Sequence, residues 1–506
     1  MDSSTSWAGK NAALPSVGTI LLAALGLGFA YCVVEILYNL YLHPLRHFPG
    51  PKLNAISKIP YTKSQLSGDY PRHLQEMTMK YGYFIRVAPD ILSILHPDTV
   101  PTIHGHRKGG KDENPRDVLA LGGNEKTILA VGREEHGRLR RILASGFSNQ
   151  AMIEQEPMFR EYADKLIKGM QSYSKRAPGP LDVTSWYNWA TFDVIGDLSF
   201  GESFGCLDGQ SYHPWVANIF KGVKENLFAN EMLRYGRRVG PFLAKLVLPR
   251  DLAGKNAYHK ALSREKVARR LAATVERPDY VSRMLVGRKG KDDGLSVEGI
   301  EEHAALLILA GSETTATTMS AATYFLTTHP NVLARAVAEV RQSYVDDKEI
   351  SLTQDVQTPF VEAVLNETLR LFPAAPVPVP RVINKDGEII DGRYIPPGTL
   401  AENPLWAIHR HPNLFHRPNE FIPERWLGDE RFKNDRLDAV MPFGNGPRVC
   451  IGKNLANSEM RMLMCKVLWN FDLALAEDSR NWIDQCKAFS IWEKPPLHVY
   501  VKSRQN

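Results

Sequence analysis

Residues 443–452 read Phe443-Gly444-Asn445-Gly446-Pro447-Arg448-Val449-Cys450-Ile451-Gly452. A lone cysteine stands between glycines, two residues after an arginine. Gly444 and Gly446 permit a tight, bulged turn in which side chains would clash. An apolar run that favours helix follows, with Leu455, Ala456, Met460, Met462 and Leu463. Cys450 is therefore expected at the mouth of a helix N-terminus, where free N–H groups and the helix dipole favour thiolate. A thiolate caged in this way can ligate a soft metal centre from one side. The plain alternative is a glycine turn around a buried structural cysteine.

The rest of the chain sets bounds on that loop. Its 506 residues can bury a large core, and length alone suggests about three domains. A net charge of +6 is mild for this size and gives no reason to propose nucleic acid. The cysteines, Cys32, Cys206, Cys450, Cys465 and Cys486, are odd in number and form no C-x-x-C. Neither a zinc site nor a disulfide framework is implied, and a reducing compartment suits them.

Asn11 to Val34 carry no charge. As a helix they span roughly 36 Å, enough for a bilayer core of about 30 Å. A cleaved signal peptide is the rival reading. The length of the run and the interfacial Tyr31, Glu35, Tyr38 and Tyr41 favour an uncleaved anchor in residues 1–42. Arg46, Lys52, Lys58 and Lys63 follow with no acid between them, which places residues 43–506 on the cytoplasmic side. The stretch His43 to Pro51 breaks the helix with three prolines.

Beyond it, Ile85 to Leu95 alternates around Pro89-Asp90 and predicts a β-hairpin. Gly105 to Asp112 mimics a phosphate loop but lacks the Ser/Thr after Lys111, so nucleotide binding is rejected. His104 and His106 read as polar loop residues rather than metal ligands. Gly132 to Phe147 predicts a basic helix, with His136 and Arg140 four apart on one face. Residues 154–287 are mostly helical in pattern. Between Arg234 and Arg250, basic residues mix with Phe242, Leu243, Leu246, Val247 and Leu248, a composition that suits a membrane interface.

Leu295 to His329 predicts a long helix. Ala310-Gly311-Ser312-Glu313-Thr314-Thr315 interrupts its apolar run. Threonines can bond back to carbonyls four residues earlier, but a buried carboxylate needs another account. Glu367 and Arg370 stand three apart on one helical face, and Pro423-Glu424-Arg425-Trp426 brings a second arginine. Arg381 follows an extended stretch, Pro373 to Pro380.

In this order the motifs resemble those of the cytochrome P-450 haem-thiolate monooxygenases. They are the basic helical pair, the acid–alcohol helix, Glu-x-x-Arg, Pro-Glu-Arg and the cysteine loop. Leu468 to Asp472 and Trp492 to Pro496 are similar to fungal microsomal members of secondary metabolism. The resemblance implies a mainly α fold with small β-sheets, one large catalytic domain behind the anchor. All motifs must then converge on one macrocycle, which overrules the three-domain estimate. It implies heme b with Cys450 as axial ligand and Phe443, Arg448 and Gly452 in the loop that cradles it. His136, Arg140 and Arg381 would reach the propionates, His136 standing where many members carry Trp. Glu313 and Thr314 would deliver protons, with small residues leaving room for O2 and letting the helix bulge. Glu367, Arg370 and Arg425 would lock the segment that leads into the loop.

Electrons would come from NADPH through a separate membrane-bound reductase, with cytochrome b5 as a further donor. Gly444, Gly446 and Gly452 do not fit a dinucleotide fingerprint. The location implied is the endoplasmic reticulum membrane. The substrate would be a hydrophobic terpenoid, polyketide or alkaloid. Its walls would come from Leu119 to Leu121, Phe204 to Leu246, Ala310 and Val377 to Val379. The rival classes are a non-oxygenating thiolate-haem isomerase or dehydratase, which could dispense with Glu313 and Thr314, and a non-catalytic haem-binding protein.

Overall fold

The computed structural model describes residues 16–107, 111–121, 126–177, 179–249, 251–273, 277, 279–286, 294–353 and 357–504. The start of the uncharged run, residues 11–15, and residues 108–110 of the phosphate-loop mimic lie outside them. Helix α1 (Val17–Leu37) begins where the Ser16 hydroxyl accepts the Thr19 N–H at 3.2 Å. None of its residues is buried. The span Val17–Leu42 is long and apolar enough to cross a membrane. A π-helical turn, Tyr38–Leu42, ends it before Pro44.

Behind it, helices dominate. In chain order they include α2 (Ile59–Ser67), α3 (Tyr70–Tyr81), α4 (Arg133–Ala144), α5 (Asn149–Arg176) and α6 (Val183–Phe200). Then come α7 (Pro214–Leu233), α8 (Gly236–Val247), α9 (Leu252–Ala272), α10 (Val297–Thr328), α11 (Pro359–Leu371) and α12 (Lys453–Asn470). The strands that bear on the site are β1 (Phe84–Ala88), β2 (Ile91–Ile94), β3 (Leu181–Asp182), β4 (Arg381–Val382), β5 (Leu400–Glu402), β6 (Phe471–Leu475), β7 (Lys487–Phe489), β8 (Ile491–Glu493) and β9 (His498–Ser503), and a separate hairpin pairs residues Glu388–Ile390 with Arg393–Ile395.

The long helix α10 is the axis of the core and packs on α6, α9, α11 and α12. A Cβ on Gly311 would lie 2.7 Å from Ile195 Cδ1, so a larger residue here would make the Ile195 side chain shift. The expected bulge is absent: α10 is continuous from Val297 to Thr328. Its hydroxyls bond back without breaking it, Ser312 to Ile308 O at 2.5 Å, Thr314 to Ala310 O at 2.8 Å and Thr318 to Thr314 O at 3.0 Å. The helix therefore keeps its ladder while burying a polar stripe.

The predicted hairpin forms, with Ile85 opposite Ser93 and Arg86 opposite Leu92. It extends into a sheet of order β1-β2-β5-β4, which carries Arg381 toward the molecule's centre. A second sheet, β3-β9-β6, and the hairpin β7-β8 bring the C-terminal segment across α6 and α10.

Glu367 on α11 is fully buried. It accepts Arg370 Nε at 2.8 Å and Nη2 at 2.7 Å, Arg425 Nε at 3.3 Å, Trp426 Nε1 at 2.9 Å and the Ile422 N–H at 3.1 Å. Burial would raise its carboxyl, but the Arg370 hydrogen bonds and the two guanidiniums overcome this and hold it low. Arg370 also donates to the carbonyls of His409, Pro418 and Glu420, and Arg425 pairs with Asp435. One carboxylate thus fastens the segment 409–435 to α11. Removing one partner of a buried pair costs about 3–5 kcal/mol. Glu367→Ala should lower the thermal unfolding midpoint and the yield of folded protein, whereas Glu424→Ala, at an exposed pair with Arg335, should leave both near wild type.

Candidate active site

The cysteine loop owes its shape to two left-handed glycines, Gly444 (φ 74°) and Gly446 (φ 72°). A Cβ on Gly446 would overlap the His104 carbonyl oxygen, so only glycine lets the loop pass this backbone. The Cys450 N–H donates to Phe443 O at 2.8 Å, closing the loop on itself. Arg140 on α4 donates from Nη1 to Val449 O at 2.6 Å and ties the loop to that helix. Gly452 caps α12, so Cys450 does sit just before a helix N-terminus.

The thiol's acidity differs from the expectation. Burial pushes Cys450 up, against the Gly452 N–H and the charges of Arg140 and Arg116. The helix end is outweighed by the low-dielectric site around it. A metal cation would reverse this, because a coordinating thiol is deprotonated outright.

Cys450 borders two confluent cavities of about 290 Å³ and about 350 Å³, which share Leu307, Ala310, Ala375, Pro442, Phe443, Cys450 and Ile451. Together they form a slot between α10 and the cysteine loop. Thr314, Thr315 and Gly452 line one part of it, and His136, Arg140, Arg381, Arg448 and Val377 to Val379 the other. The sequence-derived loop and basic residues therefore meet around one space. Phe204 does not: it is buried against Phe200 and Trp215 in the helical core. Leu119 to Leu121 and α7 are also absent from the slot's lining.

One end of the slot is unbalanced in charge. Arg116, Arg381 and Arg448 converge there, and Arg448 pairs with Glu113. Burial and the neighbouring guanidiniums push Arg381 down to about 9 and Arg116 down to about 10. His104 faces the same end with Nε2 unpartnered, and burial holds it down to about 3. His136 is likewise pushed to about 4 by burial and Arg448, so it is a neutral imidazole and not half of a basic pair. A planar group with carboxylates at one edge, a metal at its centre and apolar faces fits this arrangement. Haem is such a group.

Arg116 and His104 were not selected by sequence reasoning. Arg116 lies in no motif, and His104 reads as a polar loop residue yet is half-buried and lines the slot. The slot's third surprise is Glu459 on α12, buried beside Thr315, which donates to it at 3.5 Å. Burial pushes its carboxyl up to about 8, so it is protonated at neutral pH.

Glu313 and Thr314 are adjacent in sequence but face different spaces, because successive residues on a helix turn by about 100°. Thr314 lines the slot. Glu313 is buried on the other side, ion-paired with Lys494 just beyond β8, and accepts from Thr317 at 3.2 Å. Lys494 in turn donates to Thr317 at 2.7 Å. Burial pushes the Glu313 carboxyl up, against the Lys494 charge and the Thr317 hydroxyl. A separate polar cavity of about 430 Å³ reaches this pair, lined also by Asp182, Ser185, Tyr212 and Lys224.

A family model for cytochrome P450 matches residues 56–500. The chain belongs to the cytochrome P450 family. It is 46% identical to a trichothecene C-15 hydroxylase of Fusarium sporotrichioides over 491 residues, 97% of this chain and 99% of the relative. It is 38% identical to the cytochrome P450 monooxygenase astA of Talaromyces wortmannii, over 96% of this chain and 97% of that one. It is 37% identical to an averantin hydroxylase of Dothistroma septosporum, over 96% and 91%. The protein is thus a P450 monooxygenase, a haem-thiolate enzyme that takes hydrophobic substrates and works with a redox partner.

A hydrogen bond to a charged group is worth roughly 1.5–3 kcal/mol, a factor of roughly ten to a hundred. Arg381→Leu and Arg116→Leu in this P450 should each speed haem loss to an apoglobin acceptor by that order. Arg133→Leu, at an exposed position outside the slot, should leave the rate unchanged.

Proposed function

We propose that this P450 hydroxylates a saturated carbon of an apolar polycyclic terpenoid, with a trichothecene-type sesquiterpenoid as the first substrate to test. The observation that carries this reading is Cys450 and Thr314 bordering one apolar cavity, walled by Ile195, Leu307, Ala310 and Ala375. The extent of similarity to the trichothecene hydroxylase supports the substrate class. Bound haem would supply the oxygen-activating iron, with the Cys450 thiolate favouring O–O cleavage.

The chain's own residues hold and deliver. Arg140, Arg381, Arg448 and Arg116 would pair with the propionates, His104 and His136 could donate to them, and Phe443 and Gly452 would wall the loop. Thr314 donates its hydroxyl hydrogen to Ala310 O, so its lone pairs face the slot and can accept a proton-bearing group there. Glu313 stands at the inner end of the polar cavity, where Lys494 and Thr317 hold it. It would take protons from that cavity and pass them around the helix toward Thr314. Glu367, Arg370 and Arg425 act through the backbone they fasten.

Residues 1–42 would anchor the protein in the endoplasmic reticulum membrane, with residues 43–506 as the cytosolic catalytic domain. The reductase that draws on NADPH, and cytochrome b5, would dock near the cysteine loop's outer side. There α4 and α12 expose Arg133, Arg141 and Lys453.

The reduced, carbon monoxide-bound protein should show the red-shifted Soret band of thiolate ligation, and Cys450→Ala should lose it. A native enzyme without that band would overturn the reading. Thr314→Ala should keep the band but waste NADPH, with product per NADPH falling by about a hundredfold for a proton-transfer role at the low end of its usual range. Lys494→Met should slow turnover with little change in substrate affinity, and a change confined to affinity would place Lys494 outside proton delivery.

A further inference from the structure

The N-terminal half of α10 carries a histidine that belongs to none of the motifs. His303 is 1% exposed and lies one turn before Leu307, which lines the slot. His303 itself is not part of that lining. It bonds instead to the turn at residues 127–131, whose Ile128 and Leu129 do line the slot. Both ring nitrogens are engaged. Nδ1 lies 2.7 Å from Gly299 O, and Nε2 lies 3.2 Å from the Ile128 backbone nitrogen. A carbonyl only accepts and a backbone N–H only donates, so the hydrogen sits on Nδ1 and the Nε2 lone pair takes the Ile128 N–H. Burial holds the imidazole below its usual range, with help from the Arg138 charge and against Gly299 O, Glu302 and Glu135. The ring is therefore neutral and keeps that lone pair.

The turn's carbonyls serve the slot's charged end. Val131 O accepts Arg448 Nη2 at 2.7 Å, and Ile128 O accepts Arg448 Nη1 at 3.4 Å. Leu129 O accepts Arg116 Nη1 at 3.2 Å, and Arg116 Nη2 donates to Arg448 O at 3.4 Å. Two like-charged guanidiniums are thus held side by side on one short turn, with Glu113 paired to Arg448. They repel: after burial, the Arg448 charge is what lowers Arg116. A shift of the turn would take acceptors from both at once.

Ile128 is where the two sets of bonds meet, its N–H directed to α10 and its carbonyl to Arg448. The turn's own bonds, from the Ala130 and Val131 N–H groups to Thr127 O at 3.0 Å and 3.2 Å, fix its shape but not its place. Lys126 pairs with Glu298 at 2.7 Å, but that pair is exposed, and surface pairs of this kind are worth little. The bond to His303 is buried, and it spans 175 residues of chain.

We propose that His303 is a positioning residue for the haem: it pins the turn at 127–131 to α10, and the pinned carbonyls aim Arg448 and Arg116 at the slot's charged end. This rests on the reading of the slot as the haem cavity, where those arginines would meet the propionates. His303 acts through the Ile128 N–H and touches neither the slot nor its contents.

The test uses the full-chain holoenzyme, with haem transfer to an apoglobin acceptor and the reduction potential of the iron as readouts. His303→Leu removes the acceptor, whereas His303→Gln keeps an amide oxygen at about the reach of Nε2. His303→Leu should speed haem loss by about tenfold, the upper end for one neutral hydrogen bond. It should also make the iron harder to reduce, because loosened guanidiniums compensate the propionates less. His303→Gln should restore both values to near wild type. Amide hydrogen exchange should quicken at residues 127–131 in His303→Leu and stay unchanged in α12. Equal losses in the Leu and Gln variants would overturn the proposal, since the bond to Ile128 would then not be the cause. Faster exchange at 127–131 with haem loss and potential unchanged would overturn it too, leaving His303 a tie of the fold alone. Should His303→Leu fail to fold, His303→Phe, which keeps a ring and drops both nitrogens, decides by the same criteria. A wild type without the thiolate Soret band would overturn the haem reading of the slot instead, and the exchange measurement, which needs no haem, then decides whether His303 pins the turn.

Discussion

Three guanidiniums, those of Arg116, Arg381 and Arg448, share one end of a buried slot with a single paired carboxylate, Glu113. Concentrated positive charge in a low-dielectric space is unfavourable until a compensating anion arrives. Much of the fold is arranged to hold that charge in place. The four-stranded sheet delivers Arg381, segment 113–117 delivers Arg116 and Glu113, and the cysteine loop delivers Arg448. Arg140 then joins the loop to α4 through the Val449 carbonyl. In the proposed haem complex the propionates would supply the compensating anions at this end.

The sulfur side obeys the same logic. Desolvation pushes the Cys450 thiol up, despite the helix end beside it, although the residue is exposed to the slot. In the proposed haem complex the bound metal would hold the sulfur as thiolate, and the loop would supply its position. That position depends on Gly446, which has no Cβ to strike the backbone at His104. Loop and slot wall touch there, so the ligand's placement and the slot's shape are set by one close contact.

Two acids flank α10 in different ways. Glu313 is held by Lys494 at a polar cavity, whereas Glu459 is a neutral acid inside the slot, beside Thr315. The helix is unbroken, and the hydroxyls of Ser312, Thr314 and Thr318 are satisfied by carbonyls one turn back. Gly311 leaves the Ile195 side chain of α6 its place, a role that spacing arguments about room for a ligand do not reveal.

The sequence by itself determined the family and the mainly helical class, and it pointed to Cys450 as the proposed sulfur ligand and to the arginines at motif positions. Those features are local: a cysteine loop, a Glu-x-x-Arg face and a threonine-rich helix are each written within a few residues, and their order excludes other folds. Only the tertiary structure decided which groups share a space. It turned Glu313 away from Thr314, made His136 neutral, moved Phe204 into the core and brought Arg116, His104 and Glu459 to the slot. It also joined Lys494 to Glu313 and Arg234 to Asp117 across 181 and 117 residues of chain. Burial and long-range pairing set acidity and partnership, and neither is encoded in the spacing of nearby residues.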